Sequence, residues 1–355
     1  MADIVSNTGS TGLGSAVLVG FGSVGRFLGG VLAEKYEKLA IVSRTDTTHI
    51  RIAEAHPGAV AARDLSELDA AGWDWPGSLA VIASWGPSHA DYFHALADRG
   101  VRHILCEKPL ADSVAAGARM IARTKESGLT LGTHQQRAYT GLVPGLQRLA
   151  QELELGDPYG LLVQGGAIGL VTMGIHYMGF ACDLFGAGPS SVVSTAKGDP
   201  INPRSTELMY YGGTAIWSFG KGREAVFSLS NQSSVAATVE IEYRNAIASV
   251  GLNNSVVVRH RDRAFVASDP RVTRTSDPLE IAYDGPIPGV TTSLEASLAI
   301  IDEVERGTIK GFPPESALQS LGACIGALAA GESGLSVQLP IAPPSETGQR
   351  RWPIS

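Results

Sequence analysis

Residues 17–30 of this 355-residue chain read VLVGFGSVGRFLGG, an apolar run followed by closely spaced glycines. The run predicts a buried strand, and the residues after the glycines have helical spacing. Gly20 would permit a tight turn, Gly22 would let the backbone approach a pyrophosphate, and Gly25 would allow close helix packing. The same pattern occurs in turns that bind nothing, but the strand and helix around it favour a dinucleotide. We predict cofactor contacts from Gly20, Phe21, Gly22, Ser23, Val24 and Gly25.

Composition limits the range of partners. Hydrophobic residues make up 44% of the chain and charged residues 18%, which is enough for a substantial core and two domains. The net charge of −7 provides no broad basic surface for nucleic acid or anionic lipid. The three cysteines lack metal-ligand spacing, and their odd number is typical of a reducing compartment. We therefore expect a cytoplasmic protein with a small-molecule partner and no metal, nucleic acid or membrane.

The order of apolar and amphipathic stretches predicts two domains. Strand-like and helix-like runs alternate through about residue 135, which indicates βαβ units and a doubly wound parallel sheet. Later runs alternate as antiparallel strands do, and helical periodicity returns near the end. We predict an α/β protein with a flexible tail at 1–14, a dinucleotide-binding Rossmann domain at 15–138 and an α+β domain built on a mostly antiparallel sheet at 139–355. The last domain would bind substrate and mediate oligomerisation.

The end of the second predicted strand bears on which dinucleotide is bound. A carboxylate at this place normally accepts hydrogen bonds from the adenosine ribose. Here the sequence of residues 41–46 is IVSRTD, so that Ser43 and Arg44 stand where the acid is expected. Both can hold a 2′-phosphate, which favours NADP. NAD stays possible if Arg44 only decorates a surface loop and Asp46 serves as the ribose acid.

Three further motifs complete the pattern: VIASWGPSHADYFHAL at 81–96, CEKPL at 106–110 and GIHYMGFACDLFG at 174–186. With the glycine loop, they resemble the glucose-fructose oxidoreductase and inositol dehydrogenase family, also called Gfo/Idh/MocA. The resemblance extends over nearly the whole chain. It implies an NAD(P)-dependent oxidoreductase that assembles as a homo-oligomer, a dimer or tetramer, through the open face of the antiparallel sheet.

The resemblance also implies roles for individual residues. Lys108 would lie near the nicotinamide and the substrate hydroxyl, Glu107 would anchor the loop, and Pro109 would follow a cis peptide bond. We count these three among the cofactor contacts. The loop within the motif at residues 81–96 would lie against the nicotinamide ribose. Ser84, Trp85 and His89 in this motif are therefore also predicted cofactor contacts.

The chemistry of alcohol oxidation agrees with these roles. The cofactor carries a hydride, so the protein must manage the hydroxyl proton. A histidine suits that exchange, and a nearby ammonium lowers the cost of a developing alkoxide. We therefore assign His176 and Lys108 as the catalytic pair of an NADP-dependent oxidoreductase that acts on a hydroxyl or keto carbon of a sugar-like or cyclitol-like molecule.

The substrate side departs from the family pattern. Members that act on sugars usually carry two acids around the motif histidine, and this chain has Thr172 and Gly179 instead. Two other functions therefore stay open: reduction of an imine or another unsaturated group, and non-catalytic NADP binding in a sensor. The predicted substrate contacts are Lys108, Gln136, Arg137, Thr172 and His176.

Overall fold

The computed structural model describes residues 13–166, 169–199, 208–230, 232–251, 253–261 and 279–354. The predicted flexible tail therefore lies outside the described residues except for its last two positions. The described chain forms two compact units. The first contains residues 13–135 and 294–318, and the second contains residues 136–293 and 319–354.

The first unit is built on a six-stranded sheet with the order β3-β2-β1-β4-β5-β6. All its neighbouring strands are parallel, and Val17 of the first strand lies opposite Ala40 on one side and Ala80 on the other. This confirms the predicted doubly wound sheet. The strands are β1 (Ser15–Val19), β2 (Lys38–Val42), β3 (Val60–Ala62), β4 (Ser78–Ile82), β5 (His103–Glu107) and β6 (Thr130–His134).

Helices follow the strands of this sheet, as the alternating sequence pattern predicts. Their local signals are clear in α5, where the Ser113 side chain accepts a hydrogen bond from the Ala116 N–H at the N-terminus. Gly128 ends the same helix in the left-handed conformation that glycine adopts most easily. The helices are α1 (Ser23–Lys35), α2 (Asp46–Ala55), α3 (Leu65–Ala70), α4 (Gly86–Asp98) and α5 (Val114–Ser127).

The second unit is built on a larger sheet with the order β15-β14-β13-β12-β7-β11-β10-β8-β16, and β9 also pairs with β10. Its strands pair antiparallel except for the parallel pair β7 and β11, as predicted. They are β7 (Gly160–Gly166), β8 (Ser191–Ser194), β9 (Lys197–Asp199), β10 (Tyr210–Ser218), β11 (Glu224–Ser230), β12 (Thr238–Tyr243), β13 (Ala246–Val250), β14 (Ser255–His260), β15 (Glu280–Pro286) and β16 (Val337–Gln338).

Helices cover part of this sheet. Trp217 and Phe227 are fully buried in its core, and the Trp217 indole N–H donates to the Ala323 carbonyl at 3.0 Å. A π-helical turn, Gly169–Met173, leads directly into α8. The remaining helices of the chain, of which α9 and the start of α10 belong to the first unit, are α6 (Gln136–Tyr139), α7 (Leu142–Glu152), α8 (Gly174–Phe185), α9 (Ser293–Glu305), α10 (Pro314–Ser333) and α11 (Glu346–Gln349).

The division of the chain differs from the predicted one in two respects, because the first segment ends at residue 135 and not at 138, and because residues 294–318 belong to the first unit. Helix α9 is held there by polar contacts. Lys35 forms an ion pair with Asp302 at 2.9 Å, and the Tyr36 hydroxyl donates to Glu305. These contacts join residues about 270 positions apart. A boundary drawn where the local pattern changes cannot include such a returning helix.

Candidate active site

The glycine turn has the geometry that a dinucleotide needs. Gly20 has a φ of +97°, and a Cβ there would lie 2.6 Å from the Ala83 carbonyl oxygen. A Cβ on Gly25 would collide with the Gly20 carbonyl. By contrast, a Cβ on Gly22 would meet no atom within 4 Å. The first and third glycines are therefore required by packing, whereas the open space at Gly22 leaves the backbone accessible to a pyrophosphate.

The N-terminus of α1 adds a binding surface for an anion. No side chain caps it, and its first turn contains no acidic residue. Ser23 and Val24 are exposed, whereas Phe21 is buried and lies edge-on to His56 at 5.8 Å between ring centroids. Phe21 is thus available only through its backbone. The free N–H groups and the helix dipole fit a cofactor phosphate.

An exposed positive charge lies just after the end of β2. Arg44 is exposed, and its guanidinium makes no hydrogen bond or ion pair within the described part of the chain. Ser43 is half-buried, with its backbone held between the Ala62 carbonyl and the His49 ring. Asp46 begins α2 and pairs with Arg63 at 2.8 Å. The strand stops at Val42, so it does not run on to Asp46.

The loop after β4 contains one exposed ring and one buried ring. Trp85 is 44% exposed and precedes α4, so its indole is available to a ligand. His89 is fully buried, and its two nitrogens lie 2.8 Å and 2.9 Å from the carbonyl oxygens of Pro109 and Ser84. A direct cofactor contact, which the sequence analysis predicts for His89, does not fit this buried position. The ring instead ties the loop after β4 to the loop after β5.

The protonation state of the His89 ring determines whether it donates a hydrogen bond to one or to both of these carbonyl oxygens. Both are acceptors, so a neutral ring with one N–H satisfies only one of them, and a protonated ring satisfies both. Burial lowers the pKa of His89, although the hydrogen bonds to Ser84 and Pro109 oppose that shift. In the neutral ring that burial favours, one nitrogen donates to its carbonyl oxygen, whereas the other nitrogen has no proton to donate to the second carbonyl oxygen.

The EKP motif lies at the end of β5, and the predicted cis peptide between Lys108 and Pro109 is confirmed. Lys108 is half-buried, whereas Glu107 is buried and forms a short hydrogen bond with His134 Nδ1. His134 Nε2 in turn lies 3.1 Å from the buried Ser297 hydroxyl. A buried chain of carboxylate, imidazole and hydroxyl therefore fixes the residue next to Lys108. His134 and Ser297 were not anticipated from the sequence.

The charge of His134 affects the ionisation of Glu107. Burial by itself raises the pKa of this carboxyl group, but the charge and hydrogen bond of His134, together with the charge of Lys108, outweigh burial. The pKa of Glu107 therefore lies below its usual range. Glu107 is therefore a buried carboxylate anion, and His134 is its hydrogen-bonding partner.

We expect His134→Ala to lower the free energy of unfolding by about 3–5 kcal/mol, because it leaves a buried carboxylate without its partner. Chemical denaturation at pH 7 measures this loss. The depressed pKa of Glu107 contributes stability above its unfolded-state pKa, and that stability is lost as pH falls through the folded-state value. The variant should therefore lose less stability on acidification than the wild type.

His94→Ala is the matched control, since His94 is half-buried on α4 and lies outside the buried chain. Equal losses of stability in the two variants would contradict a special role for the Glu107–His134 pair.

The second unit has a cavity of about 290 Å³. It contains three of the predicted substrate residues, Gln136, Arg137 and His176. Thr172 belongs to the π-helical turn before α8 and is not among the described residues that line the cavity. The other lining residues are Thr140, Leu142, Met173, Tyr177, Ala237, Val239, Val250, Gly251, Asn254, Thr291 and Ser293.

Several polar lining residues were missed by sequence reasoning. Asn254 has a φ of 60° and lies in the turn between β13 and β14, where the Asn253-Asn254 pair is a turn signal. Thr291 lies just before α9, and Ser293 is the first residue of that helix. Those signals predict a turn and a helix start, but they do not predict a shared cavity wall.

Neither a membrane span nor a metal site is found in the described ranges. Among these residues, no helix combines the length and apolar character needed to cross a bilayer. Nor do the described His, Cys, Asp and Glu side chains form any group of three or more that could hold a metal ion.

The parallel sheet, the open glycine turn and the uncapped helix define a dinucleotide-binding protein with a Rossmann fold. Residues 15–135 match the family model described as "Oxidoreductase family, NAD-binding Rossmann fold". The match covers the parallel-sheet domain only, and it shows that this part of the chain is similar to the NAD-binding domain of the Gfo/Idh/MocA oxidoreductases.

Solved structures share the fold over most of the chain. UDP-N-acetylglucosamine 3-dehydrogenase from Acidithiobacillus ferrooxidans aligns with a TM-score of 0.66 and 18% identity, covering 90% of this chain and 98% of its own. An oxidoreductase from Agrobacterium radiobacter, in complex with NAD+, L-tartaric acid and magnesium, aligns at 0.68 and 14%, covering 92% and 98%. An NAD-binding protein from Listeria innocua aligns at 0.69 and 14%, covering 92% and 97%. A comparison with curated protein sequences gives no match.

Proposed function

We propose that the protein uses NADP to transfer a hydride to or from a hydroxyl or keto carbon of a sugar-like or cyclitol-like molecule. The observation that carries this proposal is the cavity in which His176 is surrounded by hydroxyl and amide side chains. Such groups donate and accept hydrogen bonds, as recognition of a polyhydroxylated molecule requires. Among the structural neighbours, one is named as a nucleotide-sugar dehydrogenase and another holds L-tartaric acid.

The preference for NADP rests on the residues that follow β2. Arg44 is exposed and has no carboxylate partner within the described residues, while Asp46 is paired with Arg63. A free guanidinium favours the 2′-phosphate through charge-assisted hydrogen bonds. Asp46, the acid that would favour NAD by binding the adenosine ribose, forms an ion pair with Arg63 instead.

We expect Arg44→Ala to weaken NADPH binding by about tenfold or more and to leave NADH binding nearly unchanged. Loss of one charge-assisted hydrogen bond costs roughly 1.5–3 kcal/mol, which corresponds to that factor. Fluorescence titration with both cofactors measures the effect. Arg51→Ala is the control, since Arg51 is exposed on the helix that follows. Equal losses for NADPH and NADH would refute the assignment.

We assign the proton chemistry to two side chains. When bound, the nicotinamide supplies or accepts the hydride. His176 exchanges the hydroxyl proton as general acid and base, since imidazole titrates near neutral pH. Lys108 stabilises the negative charge that develops on the substrate oxygen. The buried Glu107–His134 pair and His89 act as positioning residues, because they hold the two loops that carry Ser84 and Lys108.

Reduction of an imine receives less support. An apolar surround of the histidine would favour an imine, but of the nearby apolar residues Val171, Met173 and Met178 only Met173 lines the cavity. Val171 and Met178 are buried in the core of the second unit. A non-catalytic sensor would bind NADPH without turnover.

A turnover screen separates the three functions. NADPH and NADH oxidation would be followed at 340 nm against keto sugars, cyclitol ketones and cyclic imines, with the reverse reaction tested on the matching alcohols. We expect turnover with the oxygen compounds. Turnover confined to imines would overturn the leading proposal in favour of the second function, and tight NADPH binding without any turnover would favour the third.

A further inference from the structure

The described residues that line the cavity of the second unit include a positively charged side chain and no carboxylate. Arg137 contributes a permanent positive charge to its wall, and none of the described residues that line it is an aspartate or a glutamate. His176 adds a second positive charge whenever it is protonated. The charged side chains of the lining are therefore positive, which disfavours a cation and favours an anion.

Arg137 is held without a carboxylate partner. Its guanidinium carbon lies 4.6 Å from the centre of the Tyr177 ring, and one of its nitrogens makes a long, 3.5 Å contact with the Tyr177 hydroxyl. Within the described residues it forms no ion pair, although it is half-buried. A guanidinium above an aromatic face keeps its N–H groups available at its edge.

The rest of the wall suits a small hydroxylated body. Amide and hydroxyl groups come from Gln136, Thr140, Asn254, Thr291 and Ser293, and the apolar part of the wall comes from Leu142, Met173, Ala237, Val239 and Val250. The volume of about 290 Å³ is at the small end for ligand sites, so a compact molecule fits better than an extended one.

We infer that the substrate carries a carboxylate that Arg137 binds, so that its class is a sugar acid or another polyhydroxy acid and not a neutral sugar. This inference rests on the proposed function, because it concerns the same cavity. A single guanidinium matches the two oxygens of a carboxylate in a bidentate pair. A phosphate ester shares the anionic oxygens, but its larger charge normally recruits further cationic or N–H donors.

The test uses probes that share a hexose skeleton and differ in their ionised group: hexoses, the corresponding hexuronates and aldonates, and the hexose 6-phosphates. Binding to the cofactor-loaded protein would be measured by calorimetry and ligand-observed NMR, and turnover would be followed separately at 340 nm. We expect at least one carboxylate to bind about tenfold or more tightly than its neutral partner, and this preference should weaken as salt is raised.

Arg137→Gln should remove that preference and leave NADPH affinity unchanged. Arg137→Lys, which keeps the charge but loses the bidentate geometry, should retain part of it. Arg306→Gln is the control, since the Arg306 side chain is 64% exposed outside the cavity. An unchanged midpoint of chemical denaturation, measured alongside NADPH binding, verifies that the Arg137→Gln protein is folded.

Equal binding of neutral and carboxylate probes, no binding of any carboxylate, or an unchanged preference in Arg137→Gln would each overturn the inference. Preference for the 6-phosphates that depends on Arg137 would overturn the carboxylate and assign a phosphate. Arg137-dependent carboxylate binding without turnover would uphold this inference while the proposed function fails. Turnover of neutral sugars by the wild type, with no preference for the matching carboxylates, would uphold the proposed function while this inference fails.

Discussion

Replacement of His176 by alanine should lower kcat by about 10²- to 10⁴-fold, the range that a positioned acid or base typically supplies. His176 lies on α8 and lines the cavity in which the substrate is proposed to bind. The proton of the substrate hydroxyl would then lack an acceptor, whereas the cofactor would keep its contacts with the glycine turn. Steady-state kinetics should therefore show a loss in kcat with little change in the dissociation constant of NADPH.

Two further variants separate chemistry from packing. His176→Gln keeps a polar side chain of similar size but cannot exchange a proton near neutral pH, so its kcat should fall into the same range. His260→Ala, on β14 of the same unit, should retain wild-type kcat. Near-wild-type kcat in both His176 variants would remove this histidine from the mechanism and leave Lys108 or another residue as the proton carrier.

Lys108→Ala should reduce kcat by a factor similar to that of the His176 variant, because the developing alkoxide would lose its stabilising ammonium. Lys108 lies at the end of β5, next to the Glu107 carboxylate that His134 holds. If both side chains act in one proton-handling step, the double variant should be far less impaired than the product of the two single losses. A double-mutant cycle on kcat measures this coupling.

The lysine series also has internal controls. Lys108→Arg keeps a positive charge with a different shape, so it should recover part of the lost rate. Lys125→Ala removes a lysine whose side chain is 69% exposed and should leave kcat unchanged. Fully multiplicative losses in the double variant would show that Lys108 and His176 act in independent steps.

The elements of the first unit were largely predictable from local sequence. Strand and helix periodicities extend over a few residues, so the parallel sheet could be read from the chain and is confirmed by the register of β1 with β2 and β4. The glycine spacing likewise predicted a turn whose Gly22 is open to a ligand. The cis bond before Pro109 was implied by the family resemblance and is also confirmed.

Other parts of the candidate site could be found only in three dimensions. His134 lies 27 residues from Glu107 in sequence and 163 from Ser297, yet the three side chains form one buried chain. The family resemblance implied a cofactor contact for His89, but the structure buries its ring between two loops.

The sequence alone determined the order of strands and helices, the glycine turn and the identity of Lys108 and His176 as candidate catalytic residues. These features depend on periodicity and on short motifs, which are properties of neighbouring residues. Tertiary structure decided the return of residues 294–318 to the first unit and the cavity in which Arg137 joins His176. Such contacts form when distant segments pack together to bury apolar surface, and no local pattern specifies which distant side chains that packing brings within reach of one another.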